Sequence, residues 1–171
     1  MTKANRLGED DFSDEVPEQP SIPRSTKTLL KQSDDILEEL ASNPYEDIAS
    51  YGCLLATRLG SDDYLSAQLL FMSSDDSDVR RNAIQGLGLL KDSRSEAGLI
   101  KVFCKDHDRN LRLLAFDSCQ LKPLERAEKA MNSDYYDIRF KAVEELAGLL
   151  GGRSKSAAEK LVLQYLSKES H

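Results

Sequence analysis

From Thr26 onward, apolar residues recur along the chain with a helical beat. In TKTLLKQSDDILEEL, residues Leu29, Leu30, Ile36, Leu37 and Leu40 fall at the spacing that gathers side chains on one face of an α-helix. Asn43-Pro44 interrupts the beat, since proline has no backbone N–H to give and turn residues cluster there. The pattern resumes and predicts further helices over about 45–59, 62–72, 77–90, 94–104, 108–120, 123–131, 135–150 and 154–167. Gly60, followed by Ser61-Asp62, is expected to end one helix and to cap the next. No stretch of useful length alternates with the period of a strand. The expected fold is all-α.

Three of these stretches superimpose. They are DVRRNAIQGL from Asp78, NLRLLAFDSC from Asn110 and DIRFKAVEEL from Asp137. Each reads polar, aliphatic, Arg, two variable positions, Ala, large apolar. The arginines are Arg80, Arg112 and Arg139, spaced 32 and 27 residues apart. A degenerate copy, DIASYGCLLA from Asp47, lies upstream with Ala49 in the arginine place. An acid stands a few positions ahead of each arginine: Asp75, Asp106 and Asp134. Self-similarity at about 30 residues, with two short helices per unit, marks an α-solenoid, because each unit leaves an apolar face that only its neighbour can cover.

This pattern resembles HEAT-like repeats, in particular the short type found in phycobilisome lyases. The resemblance covers roughly residues 45–150 and rests on Asp75 with Val79-Arg80 and Ala83, Asp106 with Leu111-Arg112 and Ala115, and Asp134 with Ile138-Arg139 and Ala142. It implies a right-handed α-α superhelix of about four helical pairs. In it, Asp75, Arg80, Asp106, Arg112, Asp134 and Arg139 form a structural ladder that bonds adjacent repeats. The first copy departs by lacking the arginine. The shorter last spacing predicts a tight turn between Leu121 and Leu124 and a truncated helix near 123–131.

Two glycines, Gly86 and Gly88, lie inside the first full copy. Each costs about 1 kcal/mol against alanine within a helix, so packing must recover that loss. With about 100° per residue, Gly86 falls on the edge of the face that packs within its own repeat. Gly88 falls on the far side, where a neighbouring helix or a partner comes close. The residue after each arginine (Arg81, Leu113 and Phe140) lies about 200° from the core aliphatic on the same wheel. In HEAT-like stacks this second helix lines the concave surface, so these residues, with Tyr135 and Tyr136 near the same edge, are the expected partner-binding set. The apolar stripe of 154–167 (Ala157, Ala158, Leu161, Leu163, Leu166) needs a partner too, so this helix is expected either to cover that patch or to cap the last repeat. Two roles are open to the arginines themselves: holding an acidic ligand, or pairing with turn aspartates and closing helix N-termini.

Composition narrows the function. At 171 residues with 40 % hydrophobic and 31 % charged residues, the chain can bury one real core. Its net charge of −7 argues against nucleic acid and anionic membranes, both of which demand lysine and arginine. Residues 1–25, with GEDDFSDEVPEQPSIP, hold little to bury and are expected to form a disordered acidic arm. That arm carries a candidate docking motif at Phe12 and Val16 and a candidate phosphoacceptor at Ser13. Residues 26–171 form the helical domain. Cys53, Cys104 and Cys119 have no metal or redox spacing and read as core filler in a reducing compartment. With no signal-type apolar run, a cytoplasmic location is expected. Only two histidines occur, His107 and the terminal His171. There is no phosphate-loop motif, and Gly151-Gly152 reads as a helix stop. The acid pairs Asp34-Asp35, Glu38-Glu39 and Glu144-Glu145 read as solvated helix faces. No nucleophile–base or metal set is assembled, so no cofactor and no catalysis are expected.

The expected function is therefore a bacterial, non-catalytic adaptor that grips a peptide or helix of another protein on its concave face. Two alternatives come from other classes. One is an acidic, immunity- or antitoxin-like inhibitor of a basic enzyme, whose binding is salt-sensitive. The other is a non-catalytic subunit of a lyase-type complex.

Overall fold

The computed structural model describes residues 26–150 and 155–169, with side chains from 32–150 and 155–165. The expected acidic arm and the Gly151-Gly152 stop lie outside these residues. Nine helices and no strand occur among the described residues: α1 (Thr26–Ala41), α2 (Glu46–Arg58), α3 (Leu65–Phe71), α4 (Ser77–Leu87), α5 (Ser93–Lys105), α6 (Arg109–Ser118), α7 (Pro123–Ala130), α8 (Tyr136–Leu149) and α9 (Lys155–Glu169). The all-α expectation holds.

The starts of three helices share one device. The side chains of Asp76, Asp92 and Asp108 accept from the N–H two residues on, each at 2.7 Å, and so satisfy one of the donors a helix leaves open. The expected cap at Ser61-Asp62 does not form. The Ser61 hydroxyl takes the N–H of Asp63 instead, and α3 begins only at Leu65. The chain needs those extra residues to turn, and Gly60 makes the turn with a φ of 98°, which favours glycine.

Helices pack in pairs, α1 with α2, α3 with α4, α5 with α6 and α7 with α8. The pairs follow one another in series. Helices α2, α4, α6 and α8 form one layer, each touching the next, while α3, α5, α7 and α9 form the other. Between the layers runs the main core, which includes Ile84, Leu87, Leu99, Phe103, Leu111, Ile138 and Leu146. A smaller cluster of Ala49, Cys53, Phe71, Val79 and Ala83 continues it toward the first pair.

The glycines fit this stack. A Cβ on Gly86 would stand 2.6 Å from Cδ of the fully buried Gln68 on α3, the other helix of its own pair. Gly88 is not inside α4 but is the residue that closes it, and a Cβ there would stand 2.7 Å from Cβ of Ser118 on α6. So one glycine admits the partner helix of its pair and the other admits the next unit.

Candidate functional site

The joints between units come first, because they place everything else. The guanidinium Nη1 of Arg80 donates to the carbonyl oxygens of Ser74 and Asp75 at 2.8 and 3.0 Å, clasping the turn before its own helix. Its Nε reaches forward to the Asp106 carboxylate of the next unit at 3.2 Å, and both groups are buried. Arg112 repeats the clasp on the carbonyls of Asp106 and His107 at 2.9 and 3.0 Å. Its forward bond, at 2.8 Å, goes to Asp137. Arg139 clasps the Ser133 carbonyl at 2.9 Å, and no carboxylate among the described residues forms an ion pair with it.

The ladder thus differs from expectation in its acids. Asp75 is exposed and contributes only its carbonyl. Asp134 pairs with Lys105 at 2.7 Å on the surface rather than with an arginine. The register of the acids is the cause: Asp106 stands six residues before Arg112, whereas Asp75 and Asp134 stand five before Arg80 and Arg139. The residue equivalent to Asp106 in the last unit is Ser133, which has no charge to offer, so Asp137 at the start of α8 takes its place. In the first copy, where Ala49 stands in the arginine place and packs in the cluster with Val79 and Ala83, other residues make the polar links to α4: the Ser50 hydroxyl accepts from Asn82 Nδ2 at 3.1 Å, and Arg58 Nη2 donates to Gln85 Oε1 at 3.1 Å.

An open groove of about 480 Å³ runs between α6 and α8, lined by Arg109, Leu113, Tyr136, Asp137, Phe140, Lys141 and Glu144. It unites three of the residues singled out as partner-binding. Phe140 is 48 % and Tyr136 71 % exposed, their rings 6.1 Å apart. The other two lie elsewhere. Arg81 forms an ion pair with Asp78 on its own helix. Tyr135 is taken by the ladder, with the Arg112 guanidinium 3.7 Å above its ring centre, a cation–π contact. Helix α9 leaves the groove open. It packs on α7 and α8, and Ala158 is fully buried, so it caps the last pair instead.

Several polar links have no counterpart in the sequence reading. Arg126 on α7 pairs with Glu145 on α8, donates to the Cys119 carbonyl at 2.7 Å and lies 5.0 Å over the Phe116 ring. The Cys119 thiol donates to Glu96 at 2.9 Å, and burial, reinforced by Glu96, pushes its pKa up to about 12. Burial pushes Cys53 up to about 11 and also raises Cys104. All three thiols are free. Gln68 donates to the Cys53 carbonyl and to the Thr57 hydroxyl at 3.2 and 2.7 Å. Only Arg126 carried a sequence signal, since it follows Pro123, the start of a helix, by one turn.

Among the described residues no cluster of His, Cys, Asp or Glu is arranged to hold a metal. No described helix is long and apolar enough to cross a membrane. Comparison with protein-family models, with curated proteins and with solved structures found no match.

Proposed function

We propose that the chain is a non-catalytic adaptor, built as a HEAT-like α-solenoid, that holds a peptide or helix of another protein in the α6–α8 groove. The observation that carries this reading is the groove itself. Leu113 and the exposed rings of Tyr136 and Phe140 give it apolar surface, and Arg109, Lys141, Asp137 and Glu144 set charges beside them. Exposed aromatic and aliphatic side chains grouped together beside charged ones are what a partner buries on binding. The test is capture by the immobilised full-length protein. The double variant Leu113→Asp/Phe140→Asp should lose a captured protein that Arg81→Ser retains. The wild-type capture should survive about 1 M salt, where the Debye length is about 3 Å.

A second reading has one observation in its favour. An open cleft of about 600 Å³ between α1, α2 and the turn ahead of α3 carries Asp34, Glu38 and Asp63. Such a surface suits a basic partner, as an acidic inhibitor requires. Capture that salt abolishes, and that the groove variant leaves intact, would replace the adaptor reading with this one.

A further inference from the structure

Two positions on each second helix meet the following unit: the ladder arginine and the residue one turn beyond it. On α4 these are Arg80, bonded to Asp106, and Ile84, which is 0 % exposed in a cluster with Leu111 and Ala115 of α6. On α6 they are Arg112, bonded to Asp137, and Phe116, covered in part by Arg126. On α8 the same two positions are Arg139, with no carboxylate among the described residues, and Val143, which is 46 % exposed. Ala147 and Leu150 extend that edge, both exposed. Helix α9 touches α7 and α8 as α5 touches α3 and α4, so it stands where the first helix of a further unit stands. Its Leu163, Val162 and Glu159, with Leu150, line an open, mostly apolar trough of about 310 Å³.

We propose that this edge is a docking slot for one amphipathic helix of another protein, carrying an aspartate or glutamate at its N-terminal turn. The helix lies parallel to α8, its apolar face on Val143, Ala147 and Leu150 and its acid on Arg139. The occupant's chemistry follows from the two slots that are filled. In both, an acid meets the arginine from the incoming unit, Asp106 from the turn ahead of α6 and Asp137 from the first turn of α8, while aliphatic or aromatic residues seal the edge. A second copy is the competing occupant, since Glu159 stands in the same trough, and sedimentation separates the two. Head-to-tail stacking of copies is closed off, because α1 already covers the opposite end of the stack, where Gly52 backs onto Leu40 and Ala41. This slot is separate from the α6–α8 groove and does not depend on the adaptor reading.

The test uses the full-length protein and a labelled synthetic peptide with the sequence of residues 106–121, which fills the equivalent slot on α4. Fluorescence anisotropy should show saturable binding. Arg139→Gln in the protein, or Asp106→Asn in the peptide, should each raise Kd about tenfold, and the two losses should not add. Val143→Asp should abolish binding. Should that variant shift the thermal midpoint, Val143→Ser gives the same readout with a smaller change. The proposal is overturned by unsaturated binding, by a Kd indifferent to position 143, or by a protein dimer in sedimentation that Val143→Asp converts to monomer.

Discussion

Ile84 and Val143 occupy the same place on two helices of one repeat pattern, yet one is sealed and the other stands in solvent. The same is true of Arg80 and Arg139, one bonded forward and one not. The helices are alike, so the difference lies in what comes next along the stack. A repeat unit is thus only half of its own stability, and the rest is supplied by its neighbour. The lesson is quantitative, because identical substitutions at equivalent positions should have unequal effects.

The largest contrast is at the arginines. Arg80→Ala strands the buried Asp106 carboxylate and two turn carbonyls, and should cost about 3 to 5 kcal/mol. Arg139→Ala loses one carbonyl bond at a part-exposed site and should cost about 1 kcal/mol. Urea unfolding of both variants measures the gap, and equal losses would end the idea of a forward ladder. Next come the aliphatics. Ile84→Ala should cost about 2 to 5 kcal/mol through transfer and cavity terms, while Val143→Ala should stay within about 0.5 kcal/mol.

Smaller, and of opposite sign at two glycines, is the effect of adding a methyl group. Gly86→Ala drives its Cβ into the buried Gln68 amide, which is held by two hydrogen bonds, so overpacking of about 1 to 3 kcal/mol should outweigh the gain in helix propensity. Gly98→Ala meets the flexible end of Met72 at 2.8 Å, which can move aside, so propensity should win and the melting temperature should rise slightly.

The smallest expected effect separates the start of α6 from that of α8. The N–H of Asn110 on its carboxylate holds Asp108 below the ordinary carboxylate range. Its folded pKa lies under its unfolded value, so its contribution is full above the unfolded value of 3.8 and is lost as pH falls through the lower folded value. Asp108→Asn keeps the cap without the charge and should flatten that acid limb. Helix α8 begins at Tyr135 with no side-chain cap, so Tyr135→Phe should leave the limb unchanged.

Much of this was legible beforehand. The apolar beat located every described helix, because one buried face forces the period whatever the helix packs on. The repeated arginine at Arg80, Arg112 and Arg139 announced the serial joints, and Leu113 with Phe140 pointed to the groove. What misled were the acids. Asp75, Asp106 and Asp134 look equivalent as letters, but only Asp106 stands six residues before its arginine; in the last unit that place is Ser133, so Asp137 answers instead. Spacing along a chain says which residues share a helix face. It does not say which of several nearby carboxylates reaches a given guanidinium, since a shift of one or two residues turns a side chain through a large part of the helix circumference. The roles of Glu96 and Tyr135 left no local trace at all.

The sequence by itself determined that this protein is helical, where its helices fall and that they recur as pairs, because those properties follow from local periodicity and turn chemistry. Only the tertiary structure decided which acid answers which arginine, that Gly86 exists for Gln68 and Gly88 for Ser118, and that the edge of α8 is left uncovered. Those outcomes depend on close approach between residues far apart in the chain, where a few tenths of an ångström settle what fits.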